Sequence, residues 1–186
     1  METKKHKSLK EEAWEWIKSL VVAFVLAMFI RTFFFQAFKI PSSSMHPTLQ
    51  VGDHLIANKL VYRFRNPGRG EIVIFKFPDN TQRDFVKRLV GRPGEKVTIT
   101  NGKIYIAGKA VTDARITARL YLNNETGVII PENIAEIKVP VDSYFVMGDN
   151  SANSYDSRYW GFVPRKDFLG EALFIYWPPN RWGVVK

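Results

Sequence analysis

Lys96-Val97-Thr98-Ile99-Thr100-Asn101-Gly102-Lys103-Ile104-Tyr105-Ile106 reads as two strands joined by a two-residue turn. β-Branched and aromatic residues fill both arms, and Asn101-Gly102 supplies the positive φ angles that a type I′ turn needs. The same pattern repeats outward from this hairpin. Ile72-Val73-Ile74-Phe75 and Phe85-Val86-Lys87-Arg88-Leu89-Val90 precede it, while Tyr144-Phe145-Val146-Met147 and Ala172-Leu173-Phe174-Ile175-Tyr176 follow. Each run is short and rich in β-formers, and Asn66-Pro67-Gly68, Arg92-Pro93-Gly94 and Pro178-Pro179 punctuate between them. Helical periodicity is scarce beyond residue 50. The sequence predicts a mainly β body, with residues 107–140 forming a smaller inserted β lobe.

The N-terminal region breaks this pattern. Lys4, Lys5, Lys7, Lys10 and Lys18 precede a run from Ser19 to Ile30 that is apolar apart from Ser19, and Arg31 interrupts it. Those residues alone make a helix of only about 18 Å, short of the ~30 Å hydrocarbon core. Counted from Trp14 to Phe38, the helix reaches about 37 Å and spans with room to tilt. Trp14 and Trp16 then mark one interface and Arg31 snorkels toward the other. The expected organisation is a cytoplasmic segment at 1–18, a transmembrane anchor at 19–38 and an extracytoplasmic β domain at 39–186. The lysine cluster holds the N-terminus inside, which puts the domain on the outer face of the plasma or inner membrane. A cleavable signal peptide is one alternative, although no Ala-x-Ala follows and Ser42-x-Ser44 is only a weak small-x-small match. A buried helix of a soluble domain is another, opposed by the phenylalanine-rich run up to Phe38 and the lysine flank.

Composition narrows the chemistry. The chain has 186 residues, 46% of them hydrophobic, with 14 Phe and 5 Trp, enough for one anchor and one cored domain and too apolar for disorder. Cysteine is absent, which removes disulfides, a thiol nucleophile and thiolate metal sites together. The three histidines, His6, His46 and His54, are too scattered for a zinc site, and no HExxH occurs. The net charge of +9 is spread along the chain without a basic helix or an aromatic RNA-binding signature. It fits anionic lipid headgroups better than nucleic acid. There are no internal repeats and no low-complexity tract.

Directly after the apolar run stands Ile40-Pro41-Ser42-Ser43-Ser44-Met45-His46-Pro47-Thr48-Leu49. Its two prolines fix φ near −65° and push Ile40 and His46 toward extended geometry. A serine held stiffly at a membrane surface is either part of a linker or a nucleophile, and a nucleophile needs a base. His46 is two residues from Ser44 and on the same side of an extended segment, with Asp53 or Asp149 as orienting carboxylates. Lysine is the other option if burial lowers its pKa. In the strand at 85–90, Lys87 shares a face with Phe85 and Leu89, and Arg88 takes the other face with Val86 and Val90. Lys76 is a rival, sharing a face with Ile72 and Ile74. Periodicity does not choose between the two lysines, and a snorkelling side chain at a sheet rim is the bland reading of both.

These residues resemble the bacterial type I signal peptidases, membrane-bound serine proteases that remove signal peptides from exported proteins. The likeness takes in the anchor and the segment from Pro41 to Leu49, followed by Gly52-Asp53 and Gly70-Glu71-Ile72-Val73-Ile74-Phe75. It continues through the run from Asp84 to Glu95 and the run from Met147 to Gly161. The resemblance implies a Ser/Lys dyad with Ser44 as nucleophile and Lys87 as general base, working through an acyl-enzyme. It implies that Ser42 stabilises the oxyanion together with the Ser44 N–H, and that Ser154 orients the lysine. Asp149, Asp156 and Arg158 correspond to an ion-pair cluster that supports the loop beneath Ser154. The family's third box usually has Arg where Ser151 stands here and often an acidic residue at Ala152. Phe38, Ile40, Leu49, Leu55, Ile74, Phe85 and Val86 correspond to pocket walls that admit small residues at the first and third positions before the cut, as in Ala-x-Ala. The substrate then lies extended along a strand near Asp84. Signal-peptide-bearing pre-proteins and membrane lipid are the implied partners, with no nucleic acid, metal or other cofactor. Two further readings remain: a non-catalytic β domain tethered to the membrane that binds exported chains or lipid, and a self-cleaving repressor, against which the membrane segment speaks.

Overall fold

A computed structural model describes residues 9–119 and 134–186. Helix α1 (Leu9–Phe33) leads into strands β1 (Phe35–Lys39), β2 (His54–Asn58), β3 (Ile72–Phe77) and β4 (Asn80–Gly91). Then come β5 (Lys96–Thr100), β6 (Lys103–Ile106), β7 (Lys109–Ala110), β8 (Ile134–Lys138) and β9 (Ser143–Met147). The chain closes with β10 (Val163–Pro164), β11 (Phe168–Trp177) and β12 (Gly183–Val184). The larger sheet runs β1-β2-β11-β3-β4-β9-β10, with β12 beside β11, and the smaller runs β7-β6-β5-β8. The protein is mainly β behind an N-terminal apolar helix, as the sequence predicts.

The local reasons are those of the sequence pattern. In the hairpin, Ile99 faces Ile104 and Thr100 faces Lys103, with Asn101 and Gly102 at φ 50° and 70°. β3 is buried on both faces, so its residues form a continuous apolar run. Ile72 and Ile74 enter a cluster with Ile40, Met45, Leu49 and Leu55; Val73 and Phe75 enter another with Leu89, Val146 and Phe168. A third cluster, including Val97, Ile99, Phe145 and Met147, joins the two sheets. Each fully buried Leu, Ile or Phe contributes on the order of 1.5–3 kcal/mol.

The anchor differs from expectation at its C-terminal end. The helix stops at Phe33, and Phe35–Lys39 pairs with β2, placing Phe38 opposite Leu55. Hydropathy alone runs these phenylalanines into the helix, but their burial alternates with period two: Gln36 and Phe38 turn inward, Phe35, Ala37 and Lys39 outward. At its other end the helix reaches back to Leu9. It keeps 25 residues, none of them buried, and has a window of mean hydropathy 1.8. By length and composition it can cross a bilayer. The expected lobe at 107–140 includes residues 120–133, outside the described residues; β7, a one-turn helix at Ala114–Thr117 and β8 lie on either side.

β11 crosses β2 closely at Gly170. A Cβ there would lie 2.5 Å from the Asn58 carbonyl oxygen and 3.3 Å from Lys59 Cα, both backbone atoms that cannot step aside. Gly170→Val is expected to destabilise the domain by about 2 kcal/mol or more, read as a lower unfolding midpoint in detergent. An unchanged midpoint would contradict the close crossing.

Candidate active site

The chain leaves β1 through Ile40, whose N–H donates to Asp53 O at 2.8 Å and whose carbonyl accepts from Gly52 N–H at 2.9 Å. A 3-10 turn at Ser43–Met45 follows. Met45 and Leu49 are buried in the apolar cluster beneath it. The loop after β9 grips the turn from the other side. Asn150 N–H donates to Ser44 O at 3.0 Å, Asn150 Nδ2 to Ser43 O at 3.1 Å, and Asn153 Nδ2 to Ser43 Oγ at 2.8 Å. At Gly148 a Cβ would lie 2.5 Å from Ser44 O and 2.2 Å from Ser154 Oγ. Only glycine fits between them.

Lys87 projects from β4 so that its Nζ lies 2.6 Å from Ser44 Oγ. The side chain is 4% exposed, and its amine sits 5.5 Å from the centre of the Phe85 ring. Burial pushes the amine down to about 8. The Asp156 and Asp149 carboxylates pull it back up, and Arg158 opposes them. Each of those carboxylates is held by a guanidinium. Arg88 Nε and Nη2 donate to Asp149 Oδ1 and Oδ2, both at 2.7 Å. Arg158 Nε and Nη2 donate to Asp156 at 2.8 and 2.9 Å. Among the described residues no carboxylate lies within ion-pair distance of the Lys87 amine.

The expected cluster of Asp149, Asp156 and Arg158 is thus two separate pairs. Asp149 belongs with Arg88, which is fully buried, and is further approached by Arg119 Nε at 2.9 Å and by the Thr48 hydroxyl. Asp156 also accepts from Gly148 N–H at 2.9 Å, and Arg158 also donates to Ser151. The one signal for Arg88 in the sequence was an arginine alternating with apolar residues inside a strand. Gly148, Asn150 and Asn153 carried no signal by residue type, since their roles are backbone clearance and a grip on a distant turn.

The remaining candidates divide. Ser42 Oγ lies 3.4 Å from Ser44 Oγ. Ser154 is buried at the site, packed against Gly148, and among the described residues its hydroxyl makes no hydrogen bond, to Lys87 or to any other group. A cleft of about 480 Å³ opens on Ser44 and Lys87, lined by Phe38, Ile40, Phe85, Val86 and Tyr155 among others, with Asp84. Leu49, Leu55 and Ile74 do not line it. They are fully buried in the apolar cluster beneath the site: Leu55 on β2 and Ile74 on β3 turn into the sheet's interior, and Leu49 packs there from the segment after the 3-10 turn. β3 pairs with β4 from Asp84 to Arg88, but β9 joins β4 only from Arg88 onward. Among the described residues one backbone edge of Asp84–Lys87 is therefore unpaired by strand, and β1 is one of the two edge strands of the larger sheet.

The rival bases are elsewhere. Lys76 is exposed opposite Asp84. His46 is exposed, and His54 packs edge-on to Tyr176 at 5.8 Å. Asp53 is held by Arg181. Among the described residues no three His, Cys, Asp or Glu side chains gather to hold a metal ion. Chemically, a hydroxyl in contact with a dry amine of lowered pKa is equipped for nucleophilic attack.

Three comparisons bear on this arrangement. A family profile described as signal peptidase, peptidase S26, matches residues 13–177. A probable signal peptidase I-2 from Synechocystis sp. is 44% identical, over 98% of this chain and 82% of its own length. A signal peptidase I from Leptolyngbya laminosa is 42% identical over 92% and 83%, and signal peptidase I T from Bacillus subtilis is 38% identical over 92% and 89%. A crystal structure of a signal peptidase I from Enterococcus faecalis is 32% identical and aligns with 57% of this chain and 97% of that one, at a TM-score of 0.44.

The lowered amine has a consequence for stability. Since the folded pKa, about 8, lies below a lysine's ordinary 10.5, the unfolded chain binds more protons between those values. Stability from this group rises with pH across that window, and below pH 8 the full penalty is present. Lys87→Met is expected to stabilise the protein at pH 7 by up to about 3 kcal/mol, the gain shrinking between pH 8 and 10.5. Denaturant midpoints across that range check it, and a less stable Lys87→Met protein at pH 7 would refute it.

Proposed function

The chain belongs to the signal peptidase family, peptidase S26, and from that premise we propose a membrane-anchored serine endopeptidase that cleaves signal peptides with a Ser44/Lys87 dyad. The reading is carried by one observation, the 2.6 Å contact between Ser44 Oγ and the buried Lys87 amine.

Neutral Lys87 takes the Ser44 proton as Oγ attacks the carbonyl carbon of the residue before the cut. The developing oxyanion is met by the Ser42 hydroxyl and the Ser44 N–H, a donor of this kind being commonly worth about 3–4 kcal/mol in the transition state. The tetrahedral intermediate collapses to an acyl-serine. The departing amine of the mature protein takes its proton from the Lys87 ammonium. Water, deprotonated by the same lysine, then releases the signal peptide. Ser154, whose buried hydroxyl makes no hydrogen bond among the described residues, is assigned by the family resemblance to orient the amine once substrate is bound.

The substrate is taken to lie extended between the unpaired edge of Asp84–Lys87 and the outer strand β1, bonding through its backbone. Phe38, Ile40, Phe85 and Val86 then bound shallow apolar subsites that reject larger side chains by overlap, which selects small-x-small sequences. Helix α1 is assigned to span the membrane with the lysine-rich N-terminus on the cytoplasmic side and the β domain outside.

Ser44→Ala and Lys87→Ala are each expected to lower cleavage of an Ala-x-Ala precursor by at least about a thousandfold while unfolding remains cooperative; full activity in the Lys87→Ala protein would remove the base. The neutral amine is the working form, so the rate should climb nearly tenfold per pH unit below about 8 and level off above it. A rate that declines from pH 6 to 9 in folded protein would be incompatible with this assignment.

A further inference from the structure

A second cleft, of about 570 Å³, lies away from Ser44 and is lined by Lys59, Tyr62, Arg63, Arg165, Lys166 and Asp142, among others. Four cations and one carboxylate therefore share its wall. None of the four forms an ion pair among the described residues. The Arg165 guanidinium donates only to neutral acceptors, the Tyr62 and Arg65 carbonyls and Asn66 Oδ1. A wall with four cations to one carboxylate raises the local concentration of anions.

Its position limits which anion. Lys59 Nζ donates to Thr32 O at 3.1 Å and its N–H to Phe34 O at 2.9 Å, so the cleft adjoins the end of α1, where Arg31 adds another cation in the last turn. Next in the chain to the lining residues Arg63 and Asp142, Phe64 is 84% exposed and Val141 81%. Exposed apolar groups flanking a basic hollow at the end of a bilayer-spanning helix match a lipid, with its phosphate in the hollow and its acyl region against the apolar side chains.

We infer that this cleft binds the phosphodiester headgroup of an anionic phospholipid and seats the domain against the bilayer. The inference rests on the assignment of α1 as a membrane span. It does not involve the Ser44/Lys87 cleft.

Delipidated full-length protein in neutral detergent would be titrated with phosphatidylglycerol or phosphatidylcholine, and bound lipid counted by native mass spectrometry. Wild type should prefer phosphatidylglycerol. The Arg63→Gln/Lys166→Gln protein, altered at two exposed side chains that hold no partner, should bind it roughly 30-fold more weakly. Phe64→Ser should weaken both lipids alike. Millimolar inorganic phosphate or glycerol phosphate should not displace the lipid. Equal phosphatidylglycerol binding in wild type and the double variant would overturn the site, and complete displacement by free phosphate would overturn the lipid as its occupant. Precursor cleavage in detergent, which reports on the peptidase assignment alone, should be unchanged in both variants; parallel loss of activity would overturn the separation of the two clefts. Release of the wild type from vesicles by alkaline carbonate would sink the spanning assignment, and the lipid site with it.

Discussion

A lysine amine taken out of water loses hydration that its positive charge needs, and it keeps its place only by becoming easier to deprotonate. That constraint organises this fold. Lys87 sits where β4 has left the company of β9, with Phe85 beside it and, among the described residues, no carboxylate in ion-pair range. An unpaired Asp149 or Asp156 near the amine would restore its charge. Arg88 and Arg158 prevent this by holding both carboxylates bidentately. Removing Arg158 would strip Asp156 of its ion-pair partner, a defect worth several kcal/mol in such buried pairs, and removing Arg88 would leave Asp149 to Arg119. The arginines thus serve stability and the lysine's basicity through one set of contacts.

The hydroxyl is held as firmly as the amine. Met45 and Leu49 root the Ser43–Met45 turn in the core, and Asn150 and Asn153 grip it from above. Gly148 lets the two segments approach to a distance that no side chain would allow. A contact of 2.6 Å between residues 43 positions apart needs both segments fixed to a fraction of an ångström, since reacting groups lose much of their advantage when displaced by about 1 Å. Rigid strands on one side and a doubly anchored turn on the other meet that demand.

The two clefts differ in character. The one at Ser44 is walled largely by apolar side chains and bordered by strand edges without strand partners, a setting for an extended chain. The one at Arg165 is basic and lies where α1 joins the domain. β1 and β2 link them. The strand that begins beside Lys59 at Phe35 reaches the first cleft at Phe38 and the serine turn just beyond.

Much of this was legible in the chain itself. The β class, the I′ hairpin, the apolar helix and the candidacy of Ser44 and Lys87 follow from local pattern, because strand alternation, turn chemistry and hydropathy are properties of neighbouring residues. The resemblance to a known family carried the choice between Lys76 and Lys87. Tertiary structure decided the rest: that Phe35–Lys39 is a strand although its composition suits the helix, that Arg88 claims Asp149, that Leu49, Leu55 and Ile74 lie beneath the cleft wall, and that Ser154 is wedged over Gly148. Each depends on which residues from distant segments meet, and on which face of a strand is covered. A linear pattern records alternation but not the neighbour that makes one face wet and the other dry.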